Sequence, residues 1–138
     1  MSEGRLALLA AIQKIQAELK PMRKNGTNPH FKSRYTTLDE IWEAVKSPIH
    51  QNGLVVYCTI ERDGALVTHL ADIKTGEEMT SSFPIPTNGT PQVIGSAITY
   101  ARRYTLCALL EIVANDEDDD GELASRPAAK PATAKIDF

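Results

Sequence analysis

Cysteine is scarce in this chain of 138 residues, which contains only Cys58 and Cys107. Neither lies in a CxxC pair or a cysteine–histidine cluster, so the sequence indicates no zinc site and no disulfide framework. Both cysteines have apolar neighbours along the chain, and we expect them to be small, reduced side chains of the hydrophobic core.

Long apolar runs are also missing. No segment approaches the ~20 consecutive apolar residues that a membrane span requires. The apolar stretch 6–12 resembles the core of a signal peptide, but its pattern continues amphipathically to Leu19 without a cleavage-like stop. The sequence therefore predicts a cytoplasmic protein with no membrane partner.

Positive charge is in slight deficit, with 15 Lys+Arg against 18 Asp+Glu and a net charge of −3. The distribution is uneven, however, because counting along the sequence gives +12 and −10 over residues 1–110 but +3 and −8 over residues 111–138. The body therefore has a net charge of +2 and the tail one of −5, so the overall acidity does not exclude nucleic acid as a partner. We expect a folded domain at 1–114 and a disordered, acidic, Pro/Ala-rich tail at 115–138.

Hydrophobic periodicity predicts three helices. The first covers 3–19, and the second opens at Thr37 with a capping box to Glu40. Ser47-Pro48 has the form of a fresh N-cap and first turn, so the second helix is expected to end there. The long third helix covers 92–110, and the segment 22–36 is expected to be a loop.

Strand patterns bounded by turn residues occur at 54–61, 65–73 and 78–83. The element order is then α-α-β-β-β-α followed by the tail. This order predicts an α+β fold in which a three-stranded antiparallel meander packs on the long helix.

The segment 20–35, which includes most of the predicted loop, lies in a stretch with no acidic residue between Glu18 and Asp39. It carries five cations with aromatic rings between them, a mixture that suits single-stranded nucleic acid because cations bind phosphates and rings stack on unpaired bases. A solvated basic loop whose rings anchor it to the core would look the same. The residues concerned are Lys20, Arg23, Lys24, Lys32 and Arg34, with His30, Phe31 and Tyr35.

The last helix has no carboxylate between Gln92 and Leu110, although glutamate and lysine normally fill an exposed helix face. Its buried stripe is expected to comprise Ile94, Ala97, Ile98, Ala101, Tyr104 and Ala108. A polar ridge suited to phosphate contacts runs opposite, with Gly95 beside it, where a glycine suggests close approach of a ligand or another backbone. The ridge consists of Gln92, Ser96, Thr99 and Arg103, with Arg102 alongside.

Catalytic and cofactor motifs are incomplete. The segment 89–96 has the glycines of a phosphate loop but the wrong spacing and no lysine. The acidic run 116–121 begins like a calcium loop, yet Pro127 stands where the bidentate glutamate is required. We expect no metal, no cofactor and no enzymatic activity.

Two segments together resemble the essential recombination function (ERF) family of phage single-strand annealing proteins. They are Asn-Pro-His-Phe-Lys-Ser-Arg-Tyr at 28–35 and Pro-Gln-Val-Ile-Gly-Ser-Ala-Ile-Thr-Tyr-Ala-Arg-Arg-Tyr at 91–104, the latter leading into the acidic run. The resemblance implies an ATP-independent protein that coats single-stranded DNA and anneals complementary strands in homologous recombination. It also implies a β-β-β-α core like that of the ring-forming annealing recombinases, with Arg102 and Arg103 in the DNA groove.

Homo-oligomeric rings or helical filaments are a further implication of the resemblance, as is action in the bacterial host cytoplasm. A host single-strand-binding protein and a phage exonuclease are candidate partners, and the chain end at 135–138 is a candidate docking segment. Two other classes stay open from the residues alone. The order α-β-β-β-α is also that of a double-stranded-RNA-binding module, and the acidic run could supply Mg²⁺ to a nuclease.

Overall fold

The computed structural model describes residues 1–20, 26–28 and 33–113. They form an α+β fold with the predicted order of three helices and a three-stranded meander, to which a short β-hairpin is added. The elements are α1 (Glu3–Glu18), β1 (Gly26–Asn28), β2 (Ser33–Tyr35), α2 (Leu38–Gln51), β3 (Leu54–Ile60), β4 (Ala65–Asp72), β5 (Glu78–Pro84) and α3 (Pro91–Leu110).

The main sheet is antiparallel, with the strand order β3-β4-β5. Its register sets Cys58 opposite Thr68, and Thr68 opposite Ser81. Alternate side chains of β4 point to one face, where Leu66, Thr68 and Leu70 are buried. All three helices pack on this face, because one apolar cluster joins α1, α2 and α3 to the ends of β3 and β4.

Local chemistry starts each helix. The hydroxyls of Ser2, Thr37 and Thr90 each accept the backbone N–H of the residue three positions later, in the first turn of the helix. The capping box at α2 is complete, with the Thr37 N–H donating to the Glu40 carboxylate at 2.8 Å. Such caps satisfy N–H groups that have no partner within the helix, so these starts are readable from the sequence.

Two predicted boundaries were wrong. The segment expected to be a loop contains the paired strands β1 and β2. Helix α2 does not end at Ser47 but continues through Pro48 to Gln51, because the buried side chain of Ile49 fixes the last turn in the core. The Asn52 amide donates to the Pro48 carbonyl at 2.8 Å and closes this turn.

Two burial predictions were also wrong. Cys58 is exposed, whereas Cys107 is buried as expected. Ala108 is exposed because the buried side of α3 shifts after Ala101 towards α1 and α2. In this last part of α3, Thr105, Leu106, Cys107 and Leu110 are buried instead.

None of the helices in the described ranges has both the length and the apolar character needed to cross a bilayer. The predicted tail at 115–138 lies outside the described residues.

Candidate nucleic-acid interface

Helix α3 lies close to the sheet because its inward face is made of small side chains. Ala97 and Ala101 have no exposed surface and pack in a cluster with Leu66 and Ile85. One turn later the buried Thr105 hydroxyl contacts the Thr68 hydroxyl at 2.7 Å. This hydrogen bond fixes the rotation of α3 about its axis, and with it the direction of the opposite side chains.

The opposite side of α3 carries the predicted ridge. Gln92, Ser96, Thr99 and Arg102 are exposed and Arg103 is half-buried. We call these five residues the α3 polar face. The described part of the chain offers no side-chain hydrogen bond or salt bridge to Gln92, Ser96 or Arg102, and the Thr99 hydroxyl donates only to the Gly95 carbonyl of its own helix, at 3.3 Å.

Aromatic rings orient Arg103. Its guanidinium carbon lies 5.1 Å from the centre of the Tyr104 ring, which stacks on Tyr100 at a centroid distance of 4.3 Å. Phe83 of β5 closes the cluster, 6.1 Å from Tyr104. This cation–π contact helps to fix the direction of the Arg103 side chain.

Gly95 sits beside the α3 polar face, and nothing in the described protein requires a glycine there. A Cβ atom built on it would meet no atom within 4 Å. Glycine in a helix costs about 1 kcal/mol relative to alanine. The close approach of a ligand or another backbone at Gly95 therefore stays a prediction.

Arg102 borders a groove that the sequence did not reveal. The groove has a volume of about 450 Å³ and lies between α2, β3 and α3. Its lining combines the guanidinium with apolar side chains, the ring of Trp42 and two small polar groups. The other lining residues are Leu38, Trp42, Val56, Tyr57, Cys58, Thr68 and Leu106.

The predicted basic aromatic segment is described only in part. Lys24, Phe31 and Lys32 lie outside the described residues. Arg34 and Tyr35 belong to strand β2, which ends two residues before the N-cap of α2. Four residues of chain span at most about 14 Å, so the backbone of Arg34 lies within that distance of Leu38 in the groove lining.

A second polar cluster occupies the other face of the sheet. We call Tyr57, Thr59, His69, Glu78 and Thr80 the outer sheet face. The Tyr57 ring stacks on His69 with centroids 4.5 Å apart and planes 3° apart. Sequence reasoning missed this cluster, although the alternation along β3 and β4 places its members on one side.

The polar groups of the outer sheet face bind one another. Tyr57 donates to one Glu78 carboxylate oxygen at 3.2 Å, and His69 Nδ1 lies 3.3 Å from the other. His69 Nε2 lies 2.9 Å from the Thr59 hydroxyl, which donates to Glu61 at 2.6 Å. Partial desolvation raises the pKa of Tyr57 above its usual value, and the negative charge of Glu78 and its hydrogen bond add to this effect.

In the ranges that the structure describes, no three His, Cys, Asp or Glu side chains come together in a way that could hold a metal ion. Comparison with curated proteins and with solved structures returned no match. The sequence model of the ERF superfamily, by contrast, matches residues 8–136, nearly the whole chain. The chain therefore belongs to the ERF superfamily, a membership that implies single-strand annealing in phage recombination.

Proposed function

We propose that this protein binds single-stranded DNA without ATP and anneals complementary strands, with the α3 polar face as its phosphate-binding surface. One observation carries this proposal. A 20-residue helix presents two guanidiniums, two hydroxyls and an amide on one side, and it contains no carboxylate that would repel a phosphate. Such groups contact phosphates without reading base edges.

An annealing protein must hold the sugar–phosphate backbone while the base edges stay free to pair. Phosphate contacts meet this requirement because they leave the base edges unoccupied. Arg102 and Arg103 supply the central charges, and Gln92, Ser96 and Thr99 extend the surface towards the start of α3. Lys24, Lys32 and Arg34 add phosphate contacts from the basic segment, and Phe31 and Tyr35 stack on bases or anchor that segment.

Assembly into rings or helical filaments makes the DNA surface continuous. A helix of 20 residues is about 30 Å long, which accommodates only a few nucleotides, so annealing of longer strands requires protomers side by side. The described sheet has β3 and β5 at its edges, where an unpaired strand edge can join another chain.

Composition indicates a different role for each of the two parts of the chain. Residues 1–114 act as the DNA-binding and oligomerisation domain, and 115–138 act as the acidic tail. The protein works in the bacterial host cytoplasm without catalysing a reaction, with a host single-strand-binding protein or a phage exonuclease as partner.

The decisive variant is Arg102→Ala/Arg103→Ala. It should abolish binding to a labelled single-stranded oligonucleotide at physiological salt, measured by fluorescence anisotropy, with the circular dichroism spectrum unchanged. At low salt the residual binding should depend less on salt, because removing one phosphate-binding cation lowers the log–log slope for a single strand by about 0.7.

The matched control is Arg62→Ala/Lys74→Ala, which removes the same charge from two exposed positions outside the strands. It should retain wild-type affinity to within about twofold, since these positions lie outside the α3 polar face. Equal losses in the two double variants would mean that net charge, rather than the helix surface, governs binding. Wild-type affinity in the Arg102→Ala/Arg103→Ala variant would contradict the assignment.

Electron microscopy tests the assembly. We expect rings in the free protein and DNA-bound filaments after single-stranded DNA is added. Competition with duplex RNA separates the proposal from a double-stranded-RNA-binding module. Monomers both with and without DNA would contradict the assembly proposal.

A further inference from the structure

The groove beside Arg102 has properties that phosphate binding alone does not require. Leu38, Val56 and Leu106 make its walls apolar, and the ring of Trp42 is half-buried in its lining. A phosphate-binding surface needs only cations and hydrogen-bond donors. An apolar and aromatic cavity with one guanidinium at its border instead fits a ligand that is flat, apolar on its faces and attached to an anion.

The groove is held in shape by neighbours on several sides. Trp42 packs against the main core, and its ring lies edge-on to His50 at a centroid distance of 6.1 Å. The polar part of the lining is equally ordered, because Cys58 Sγ lies 3.2 Å from the Thr68 hydroxyl, which is tied to Thr105 of α3. A preformed cavity loses little free energy to ordering when a ligand enters.

Arg102 is the charged group of this groove. It is exposed, and no side chain in the described ranges forms a salt bridge or hydrogen bond with its guanidinium. Its position places one cation of the α3 polar face against an aromatic wall. A nucleotide has the complementary design, because a planar base that can stack is linked through its sugar to a phosphate that pairs with arginine.

We propose that the groove receives one unstacked base of the single-stranded DNA, packed against Trp42, while Arg102 binds the adjoining phosphate. This inference rests on the proposed function and adds a base-binding site to it. The volume of about 450 Å³ is that of a small-molecule site, large enough for one nucleotide and its solvent. One anchored base per protomer fixes the register of the strand, and the intervening bases stay free to pair.

Two residues that line the groove can report on its occupancy. Trp42 is the only tryptophan in the chain. Cys58 is the exposed thiol of the two cysteines, and the other is buried. Tryptophan fluorescence and thiol alkylation therefore both report on the same cavity in the full-length protein.

The test compares an oligothymidylate with an abasic deoxyribose-phosphate strand of equal length, each titrated by anisotropy to equal saturation. We expect the oligothymidylate to quench Trp42 fluorescence and to slow alkylation of Cys58, and the abasic strand to do neither. We also expect the oligothymidylate to bind at least about fivefold more tightly than the abasic strand, because one stacked base contributes about that much affinity. If both strands bind and change the two reporters equally, or change neither, the base-binding inference is overturned and the proposed function stands. If neither strand binds, the proposed function itself fails.

A pair of variants on one strand separates the groove from its surroundings. Cys58→Phe fills the cavity, whereas Ile60→Phe enlarges a side chain that is already 60% exposed two residues away. Cys58→Phe should lower the affinity for the oligothymidylate and leave that for the abasic strand unchanged, and Ile60→Phe should behave as wild type. An undiminished preference for the oligothymidylate in a folded Cys58→Phe protein would overturn the inference.

Discussion

The α3 polar face and the outer sheet face are both rich in polar groups, but those groups are used differently. On the outer sheet face, Tyr57, Thr59, His69 and Glu78 are hydrogen-bonded or stacked with one another. On the α3 polar face, Ser96, Gln92 and Arg102 have no side-chain partner among the described residues. The polar groups of the outer sheet face bind one another, whereas Gln92, Ser96 and Arg102 have donors available for a ligand.

Charge makes the same distinction. The outer sheet face contains the carboxylate of Glu78, and its Thr59 binds that of Glu61; both carboxylates repel phosphates. Helix α3 contains arginines and no carboxylate. The number of polar groups therefore does not distinguish the two surfaces. The sign of their charge does, together with the absence of side-chain partners of Gln92, Ser96 and Arg102 among the described residues.

A matched pair of threonine substitutions tests this distinction and has the largest expected effect on DNA affinity. Thr99 and Thr80 are both exposed, one on each surface. Thr99→Glu should weaken single-stranded DNA binding by about 1–2 kcal/mol, or five- to thirtyfold, because it sets a carboxylate beside bound phosphates. Thr80→Glu should change the affinity less than about twofold. Anisotropy titrations at one salt concentration measure both, and equal losses would show that the two surfaces do not differ.

The acidic run at 116–122 contains six carboxylates and should compete with DNA for the α3 polar face. Its deletion is expected to tighten DNA binding several-fold at low salt and to make that binding more salt-sensitive. The same deletion in the Arg102→Ala/Arg103→Ala protein should have no such effect. Equal tightening in both backgrounds would place the competition elsewhere.

Gly95→Ala should change stability and binding in opposite directions. The free energy of unfolding should rise by about 0.5–1 kcal/mol, because alanine favours the helix and the added Cβ meets no atom in the described protein. DNA affinity should fall several-fold if the strand approaches the backbone there. Denaturant melts and anisotropy titrations measure the two effects; a more stable protein with unchanged affinity would remove Gly95 from the site.

Glu78→Gln tests the outer sheet face and has the smallest expected effect. It removes a negative charge and a charged acceptor from Tyr57, so the raised pKa of Tyr57 should fall towards its usual value of about 10. A raised pKa means that the folded state holds the proton more tightly, so stability is lost as the pH rises through the folded pKa. Glu78→Gln should weaken that loss.

An ultraviolet titration, compared with that of Tyr57→Phe, separates the ionisation of Tyr57 from that of the other three tyrosines. Glu77→Gln is the neighbouring control. DNA affinity should stay within about twofold of wild type in both glutamine variants, and a large drop in Glu78→Gln would assign the outer sheet face a role in binding.

Patterns within one element predicted most of this fold from the sequence. The capping box at Thr37, the glycine-bounded strands and the carboxylate-free helix are local features, because caps, turns and helix faces depend on residues two to four positions apart. They predicted the order of the three helices and the meander, and they placed Gln92, Ser96, Thr99 and Arg102 on the exposed side of α3. The ERF motifs at 28–35 and 91–104 identified the family on the same local basis.

Tertiary contacts decided the rest. The groove brings together Trp42, Cys58 and Arg102 from three elements distant in sequence, and no periodicity encodes such a meeting. The exposure of Cys58 and the continuation of α2 through Pro48 likewise depend on what packs nearby, since burial of Ile49 outweighs the local signal to stop. The sequence by itself therefore determined which helix carries arginines and hydroxyl groups without a carboxylate. Only the packing of helices on the sheet determined which of those groups lies against an aromatic cavity.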